Sequence, residues 1–151
     1  MMDTEKNILV AERESDTRKF IVSSLKKYDC EVICADSGRD ALRIVEERLP
    51  DLIVSDTELE DVNGYDVCKW IKNEDSPYKD IPLVLVSDRT SLQDRLRGFL
   101  AGANKYICKP FSIEDFLDVT NLLITKKKQT NHNNWTLSDD SLLTDGLLRH
   151  A

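Results

Sequence analysis

Long hydrophobic runs are missing from this sequence, and none approaches the roughly 18 apolar residues that a membrane-spanning helix requires. Residues 1–7 are polar and carry no hydrophobic stretch after a basic lead, so a secretory signal is not expected. Apolar residues make up 40% of the chain and charged residues 32%, which is typical of a water-soluble domain. We therefore expect a cytoplasmic protein that does not contact a membrane.

Positive charge is also scarce, with 21 Lys and Arg against 28 Asp and Glu and a net charge of −7. Proteins that bind nucleic acid neutralise phosphates with clustered Lys and Arg side chains. Because this chain has an excess of acidic residues, direct binding to nucleic acid is not expected.

The four cysteines show no Cys-x-x-Cys spacing, and the sequence has only two histidines that could join them as metal ligands. A zinc site is therefore not expected. Cys34 and Cys108 fall inside apolar, strand-like runs. Both are predicted to be small buried hydrophobic side chains.

What the sequence does have is five alternations of a short apolar run and an amphipathic segment within about 125 residues. The predicted strands are residues 7–11, 31–35, 51–55, 82–87 and 106–108. Consecutive parallel strands require long crossover connections, which the amphipathic helices supply. The pattern predicts an α/β fold with a doubly wound five-stranded parallel sheet and helices on both faces.

The composition changes near residue 127, where Lys, Gln, Thr, Asn and His replace the periodic pattern. Residues 1–126 are therefore predicted to form one domain. Residues 127–151 are predicted to be a polar linker or C-terminal tail. Their sparse apolar residues fit either a segment packed on the domain or a linker to an absent domain, and the linker is favoured.

In a doubly wound sheet, ligands bind beyond the carboxyl ends of the strands, near the point where the strand order reverses. Polar residues follow four of the predicted strands: Glu12, Arg13, Asp56, Ser87, Asp88 and Lys109. One such residue alone is more often a turn former or a surface charge. Their occurrence at four strand ends favours a functional pocket.

The chemistry of this pocket depends on a carboxylate and an ammonium group. A carboxylate such as Asp56 can attack a phosphoryl donor, and a cation such as Lys109 can then neutralise the phosphoryl oxygens. Ser87 can hydrogen-bond a phosphoryl oxygen, which would pull the end of the fourth strand inward. Strand alternation places Tyr106 on the opposite face from Lys109, and Tyr106 is predicted to swing inward as Ser87 moves.

Three stretches of the sequence resemble the receiver domains of bacterial two-component response regulators, over roughly residues 6–126. Residues 51–56 with Gly64 resemble the phosphoacceptor segment, and residues 81–87 resemble the switch strand. The stretch Gly-Ala-Asn-Lys-Tyr-Ile-Cys-Lys-Pro-Phe at 102–111 is the most specific. The resemblance implies the flavodoxin-like strand order 2-1-3-4-5 and a cis bond between Lys109 and Pro110.

The same resemblance implies a function. Asp56 would be the phosphoacceptor, and Ser87, Lys109 and Tyr106 would bind phosphate or act in the switch. A sensor histidine kinase or phosphotransfer protein would donate the phosphoryl group, and a downstream protein would read the result. Such a chain is a signalling domain and not an enzyme, beyond phosphorylating and dephosphorylating itself.

One departure from the family concerns the metal. The family normally holds Mg²⁺ with two acidic residues after the first strand, the phosphoacceptor and a backbone carbonyl two residues beyond it. The corresponding positions here are Glu12, Arg13, Asp56 and the Glu58 carbonyl. Because guanidinium has no acceptor, Arg13 cannot be a ligand, and Mg²⁺ binding is expected to be weakened or absent.

Other departures surround the same pocket. Asp88 stands where the family has a small residue, and an ion pair between Arg13 and Asp88 is predicted across the site. Glu58 and Arg89 are placed to pair over the pocket entrance, although plain surface exposure is the simpler interpretation. Glu60 stands where the family typically has proline.

The sequence is compatible with three functions. The favoured one is a receiver that accepts phosphate on Asp56. The second is a phosphorylation-independent pseudo-receiver with impaired Mg²⁺ binding, which recruits a partner through a surface around Phe99, Tyr106 and Phe116. The third is a flavodoxin-like or hydrolase domain. It is disfavoured because no glycine-rich phosphate loop or Gly-x-Ser-x-Gly elbow follows any predicted strand.

Overall fold

A computed structural model describes residues 6–125 of the chain, in which five strands alternate with five helices. In chain order these are β1 (Lys6–Ala11), α1 (Ser15–Leu25), β2 (Cys30–Ala35), α2 (Gly38–Arg48), β3 (Leu52–Asp56), α3 (Gly64–Lys72), β4 (Leu83–Ser87), α4 (Leu92–Ala101), β5 (Lys105–Cys108) and α5 (Ile113–Thr125). The predicted alternation is confirmed. The predicted linker or tail at 127–151 lies outside the described residues.

The strands form one parallel sheet in the order β2-β1-β3-β4-β5, so the predicted doubly wound fold and strand order are confirmed. The order reverses between β1 and β3, which are neighbours in the sheet although β2 lies between them in the chain. This reversal opens a crevice at the carboxyl ends of β1 and β3.

The helices begin and end at residues suited to those positions. Ser37, Asn63 and Ser91 cap α2, α3 and α4, and each side chain accepts a hydrogen bond from a backbone amide in the first turn. Gly102 ends α4 in the left-handed conformation with φ 99°, which costs glycine little because it has no Cβ. No helix within residues 6–125 is long and apolar enough to cross a membrane.

Two apolar layers hold the sheet between its helices. One lies on the side of α2, α3 and α4 and includes Leu9, Ile53 and Leu85, all completely buried. The other lies on the side of α1 and α5 and includes Val10, Val54 and Phe116, also completely buried. Successive strand residues point to opposite faces, so the apolar runs within β1, β3 and β4 contribute side chains to both layers.

The burial predicted for two cysteines is wrong. Cys34 is exposed, and Cys108 is only partly buried. Cys34 belongs to β2, an edge strand of the sheet, where an apolar run does not guarantee that both faces are covered. The fully buried cysteine is Cys68 of α3, whose Sγ donates a hydrogen bond to the Ala101 carbonyl at 3.4 Å.

Candidate functional site

A cavity of about 590 Å³ lies at the carboxyl ends of the strands, and we call it the strand-end pocket. It is placed by β1, β3 and the β5–α5 connection, which all end at the same edge of the parallel sheet. Its lining includes five of the six polar residues that the sequence placed at the strand ends, together with Glu58: Glu12, Arg13, Asp56, Asp88 and Lys109. The sixth, Ser87, is not among the residues that line this pocket.

The centre of the pocket is formed by one ammonium group between two buried carboxylates. Lys109 Nζ lies 2.7 Å from Asp56 Oδ2 and 3.1 Å from Glu12 Oε1. The other oxygen of each carboxylate accepts from a nearby backbone amide, Asp56 Oδ1 from Glu58 N at 2.8 Å and Glu12 Oε2 from Glu14 N at 3.1 Å. The peptide bond between Lys109 and Pro110 is cis, as the resemblance implied.

These contacts shift the ionisation of the three groups. Burial raises the pKa of Glu12 from 4.5 to about 7, and the hydrogen bond and negative charge of Asp56 add to this effect. Burial alone would lower the pKa of Lys109, but its hydrogen bond to Asp56 and the charges of Asp56 and Glu12 raise it overall. Lys109 is therefore cationic at neutral pH and can neutralise added negative charge.

Glu12 should make the stability of the protein depend on pH. The pKa of Glu12 is about 7 in the folded chain and 4.5 when the side chain is exposed, as in the unfolded chain. Between pH 4.5 and pH 7 the folded protein therefore binds more protons than the unfolded protein. Stability should consequently fall as the pH rises through this window, and Glu12→Gln should abolish the fall and stabilise the protein by about 2 kcal/mol near pH 8.

Urea denaturation across this pH range, with EDTA present, measures the effect of Glu12→Gln. Glu31→Gln, which changes an exposed glutamate paired with Arg48 on the surface, is a matched control and should leave the pH profile unchanged. Parallel pH profiles for wild type and Glu12→Gln would contradict the raised pKa.

The ion pair predicted between Arg13 and Asp88 is wrong. Within residues 6–125, Arg13 pairs with Glu60, with Nη1 to Oε2 at 3.5 Å and both side chains more than half exposed. The sheet order explains this difference, because β3 lies between β1 and β4. The β3–α3 connection therefore separates Arg13 from Asp88, and Asp88 is exposed on the far side of the same pocket.

Glu58 and Arg89 form an ion pair, so the simpler interpretation of plain surface exposure is wrong. Arg89 Nε donates to Glu58 Oε2 at 2.7 Å, at the side of the pocket opposite Arg13. Two glutamates of the β3–α3 connection thus each hold an arginine from a neighbouring connection, Glu60 with Arg13 and Glu58 with Arg89. The two ion pairs flank Asp56 on both sides.

Ser87 lies at the end of β4 and is completely buried. Its Oγ shares a hydrogen bond of 2.6 Å with Thr57 Oγ1 and accepts from Arg89 N at 2.9 Å. Thr57 follows Asp56 directly, and sequence reasoning missed it because it overlooked the hydroxyl beside the more conspicuous carboxylate. The Ser87 hydroxyl is therefore bonded within the protein, one strand away from Asp56.

Tyr106 already points inward and is almost completely buried. Its hydroxyl donates to the Arg89 carbonyl at 2.6 Å and lies 3.0 Å from the Tyr65 hydroxyl. A Cβ at Gly98 would lie 2.6 Å from the Tyr106 ring, so glycine in α4 leaves the space for this position. The sequence did not predict the contact of Tyr65, because Tyr65 occurs inside a helical pattern. An aromatic residue at such a position predicts burial in the core but not a hydrogen-bond partner.

The interaction surface predicted around Phe99, Tyr106 and Phe116 is wrong. Phe116 is completely buried under the sheet, Tyr106 is buried, and Phe99 is only partly exposed. The apolar periodicity of α4 and α5 cannot distinguish a core face from a partner face, because both show the same helical spacing. A partner would have to contact other residues of this region.

Mg²⁺ prefers oxygen ligands in a near-octahedral arrangement, and the side chains of this pocket can be compared with that requirement. Each carboxylate oxygen of Glu12 and Asp56 already accepts a hydrogen bond from the protein, and the next residue, Arg13, offers donors only. Within residues 6–125, no group of three or more Asp, Glu, His or Cys residues is placed to hold a metal ion. The guanidinium of Arg13 therefore does not fit the ligand set that Mg²⁺ prefers.

The sequence matches the family model of the response regulator receiver domain over residues 8–121. Protein PilG of Pseudomonas aeruginosa is 34% identical over 110 residues, which cover 73% of this chain and 81% of that protein. Histidine kinase P4 of Formosa agariphila is 38% identical over 117 residues, which cover 77% of this chain but only 8% of the kinase. The chain also spans between 41% and 59% of six further relatives.

Solved structures show the same fold. The receiver domain of the sensor histidine kinase PA1611 from Pseudomonas aeruginosa superimposes with a TM-score of 0.73 at 23% identity, covering 81% of this chain and 99% of that one. That protein holds a magnesium ion coordinated in its active-site cleft.

Proposed function

The chain belongs to the response regulator receiver domain family, and from this premise we propose that it accepts a phosphoryl group on Asp56 from a sensor histidine kinase or phosphotransfer protein. The observation that carries the proposal is the contact of 2.7 Å between Lys109 Nζ and Asp56 Oδ2 at the end of β3. It joins a nucleophile to a cation at the edge of a pocket that is open to a donor.

Asp56 suits the role of acceptor because its two oxygens are held differently. Oδ1 accepts from the Glu58 amide and Oδ2 from Lys109, so the carboxylate is fixed in one orientation beside the pocket. In the transfer, one of its oxygens would form the bond to phosphorus, and Lys109 would then neutralise a phosphoryl oxygen.

The switch would act through the backbone of Arg89. Ser87 accepts from the Arg89 amide, and Tyr106 donates to the Arg89 carbonyl, so both side chains hold the same residue of the β4–α4 connection. When Ser87 turns to donate its hydroxyl to a phosphoryl oxygen, it leaves Thr57 and the Arg89 amide. The connection then loses its contact with Ser87 and keeps two others to Arg89, the Tyr106 hydroxyl and the Glu58 carboxylate.

This rearrangement would change a face of the domain that a downstream protein recognises. The proposed partner is a protein and not a nucleic acid, because the net charge of −7 disfavours contact with phosphate backbones. We further propose that the domain acts in the cytoplasm as a signalling domain, with no catalysis beyond its own phosphorylation and dephosphorylation. The weakened binding of Mg²⁺ belongs to the same proposal and is supported by Arg13.

Intact-mass spectrometry after incubation with acetyl phosphate or phosphoramidate tests the phosphoacceptor role. The expected result is one added phosphoryl group in the wild type and none in Asp56→Asn. Asp88→Asn is the matched control, because it removes a carboxylate from the same pocket that makes no contact with Lys109. An adduct that persists in Asp56→Asn would move the acceptor to another residue.

A second candidate is the phosphorylation-independent pseudo-receiver, and the observation favouring it is the lack of fit for Mg²⁺ at Arg13. The receiver and the pseudo-receiver are distinguished by one measurement, the affinity of the domain for its downstream partner. Equal binding by wild type and Asp56→Asn, with and without phosphodonor, would favour the pseudo-receiver. Stronger binding by the phosphorylated wild type alone would favour the receiver.

A further inference from the structure

We infer that Arg13 binds the phosphoryl group at Asp56 directly and supplies the positive charge for which relatives such as PA1611 have a divalent cation in the cleft. This inference rests on the proposed phosphoacceptor role of Asp56. It names a second phosphoryl-binding residue for the same pocket.

The first argument is the charge of the strand-end pocket. Six acidic side chains line it and two cationic ones, Arg13 and Lys109. Lys109 is already shared between the carboxylates of Asp56 and Glu12. A phosphoryl group brings further negative charge into this setting, so neutralising it requires a cation besides Lys109. Among the residues that line the pocket within 6–125, that cation is Arg13.

The second argument is how weakly Arg13 is held. Its ion pair with Glu60 spans 3.5 Å and both side chains are more than half exposed, so solvent screens it and it contributes little. A phosphoryl group offers a doubly charged set of oxygens that matches the planar fork of a guanidinium. Exchanging Glu60 for the phosphoryl group is therefore favourable.

The third argument is position. Arg13 follows Glu12, whose carboxylate touches Lys109, so the Arg13 backbone is fixed beside the reacting groups. The Arg18 guanidinium donates to the Glu12 carbonyl at 2.9 Å and steadies this turn. The long side chain of Arg13 can then turn from the rim into the pocket while the backbone stays in place.

The chemical step balances without a metal. A carboxylate oxygen of Asp56 forms a bond to phosphorus while the bond between phosphorus and the donor breaks. The electron pair of the broken bond leaves with the donor, as acetate from acetyl phosphate or as the imidazole of a phosphohistidine, which takes up a proton. Lys109 and Arg13 stabilise the charge on the phosphoryl oxygens during and after transfer.

The first experiment measures the rate of adduct formation from acetyl phosphate by intact mass, in EDTA and in MgCl₂. The wild type should react at similar rates in both, and Arg13→Ala should lower the rate in EDTA by about 100-fold. Arg39→Ala is the matched control, because Arg39 is an exposed arginine paired with Asp61 outside the strand-end pocket. It should react like the wild type.

The second experiment releases Arg13 from its partner. Glu60→Gln removes the competing carboxylate, so the rate in EDTA should rise by up to about fivefold, in line with a weak surface ion pair. The double variant Arg13→Ala with Glu60→Gln should react no faster than Arg13→Ala alone. An equal gain in both backgrounds would overturn the role of Glu60 as a holder of Arg13.

The third experiment uses Arg13→Asp, which exchanges a donor for oxygen ligands. Titration calorimetry with MgCl₂ should show binding to Arg13→Asp and little to the wild type, and the reaction of this variant should become Mg²⁺-dependent. A wild type that forms the adduct only with Mg²⁺, or an Arg13→Ala variant as fast as the wild type in EDTA, would overturn the inference. Failure of every donor in both buffers would instead overturn the phosphoacceptor role itself.

Discussion

Replacing Lys109 with methionine should lower the free energy of unfolding by about 3 kcal/mol near neutral pH. The substitution keeps the length of the side chain but removes the ammonium that lies between Asp56 and Glu12. Glu12 is completely buried and Asp56 nearly so, and water cannot replace the lost cation at Glu12. Two like charges would then face each other without neutralisation.

Urea denaturation at two pH values makes the cause of the Lys109 effect visible. Because the pKa of Glu12 is raised to about 7, this group is protonated in mildly acidic buffer, and the loss should shrink there. The double variant with Glu12→Gln should recover part of the stability at neutral pH, since one unpaired charge is gone.

Lys69→Met provides the control for Lys109, because Lys69 is exposed on α3 and its replacement should change stability by less than about 0.5 kcal/mol. A loss for Lys109→Met that is identical in acidic and neutral buffer would show that packing, and not charge, is responsible.

Replacing Gly64 with alanine should cost about 3 kcal/mol or more, at the upper end of what overpacking a core costs. Gly64 begins α3, and its amide donates to the Thr57 carbonyl at 2.8 Å. An added Cβ would lie 2.0 Å from the Asp56 carbonyl oxygen and 2.8 Å from Thr57 Cα. Both are backbone atoms of the segment that carries Asp56, so either α3 or that segment must move.

The movement should also affect chemistry. Displacing Asp56 relative to Lys109 by about 1 Å is expected to slow phosphoryl transfer by about 100-fold in the molecules that remain folded. Thermal unfolding and the rate of adduct formation per folded molecule measure the two effects. Gly102→Ala is the control, because this glycine has φ 99° and an added Cβ would meet Lys72, which is not part of the strand-end pocket. It should lose stability but keep the rate.

If Gly64→Ala unfolds the protein, the rate can be measured with Gly64→Ala in the Glu12→Gln background, which we expect to be more stable, and compared with the rate of Glu12→Gln alone. A normal rate in folded Gly64→Ala would contradict the view that this glycine positions Asp56.

The sequence by itself determined the alternation of strands and helices, because apolar runs and helical spacing record which faces are buried. It also determined the set of strand-end residues, since the carboxyl ends of parallel strands share one edge of the sheet. Asp56, Lys109 and Glu12 therefore could be named before their contacts were known. The strand order and the cis bond before Pro110 required the family resemblance.

Only the tertiary structure decided which of these side chains pair. Arg13 has a long, flexible side chain, and the sequence could not tell that β3 would separate it from Asp88 and bring it to Glu60. Tyr106 and Phe116 fit a partner surface as well as a core by their spacing, and both proved to be buried. The pairing of Tyr65 with Tyr106 joins residues 41 positions apart, a contact that local periodicity does not record. The local sequence pattern thus determined the helices and strands. The packing of the strand–helix connections at one edge of the sheet decided which charged side chains of the site form ion pairs.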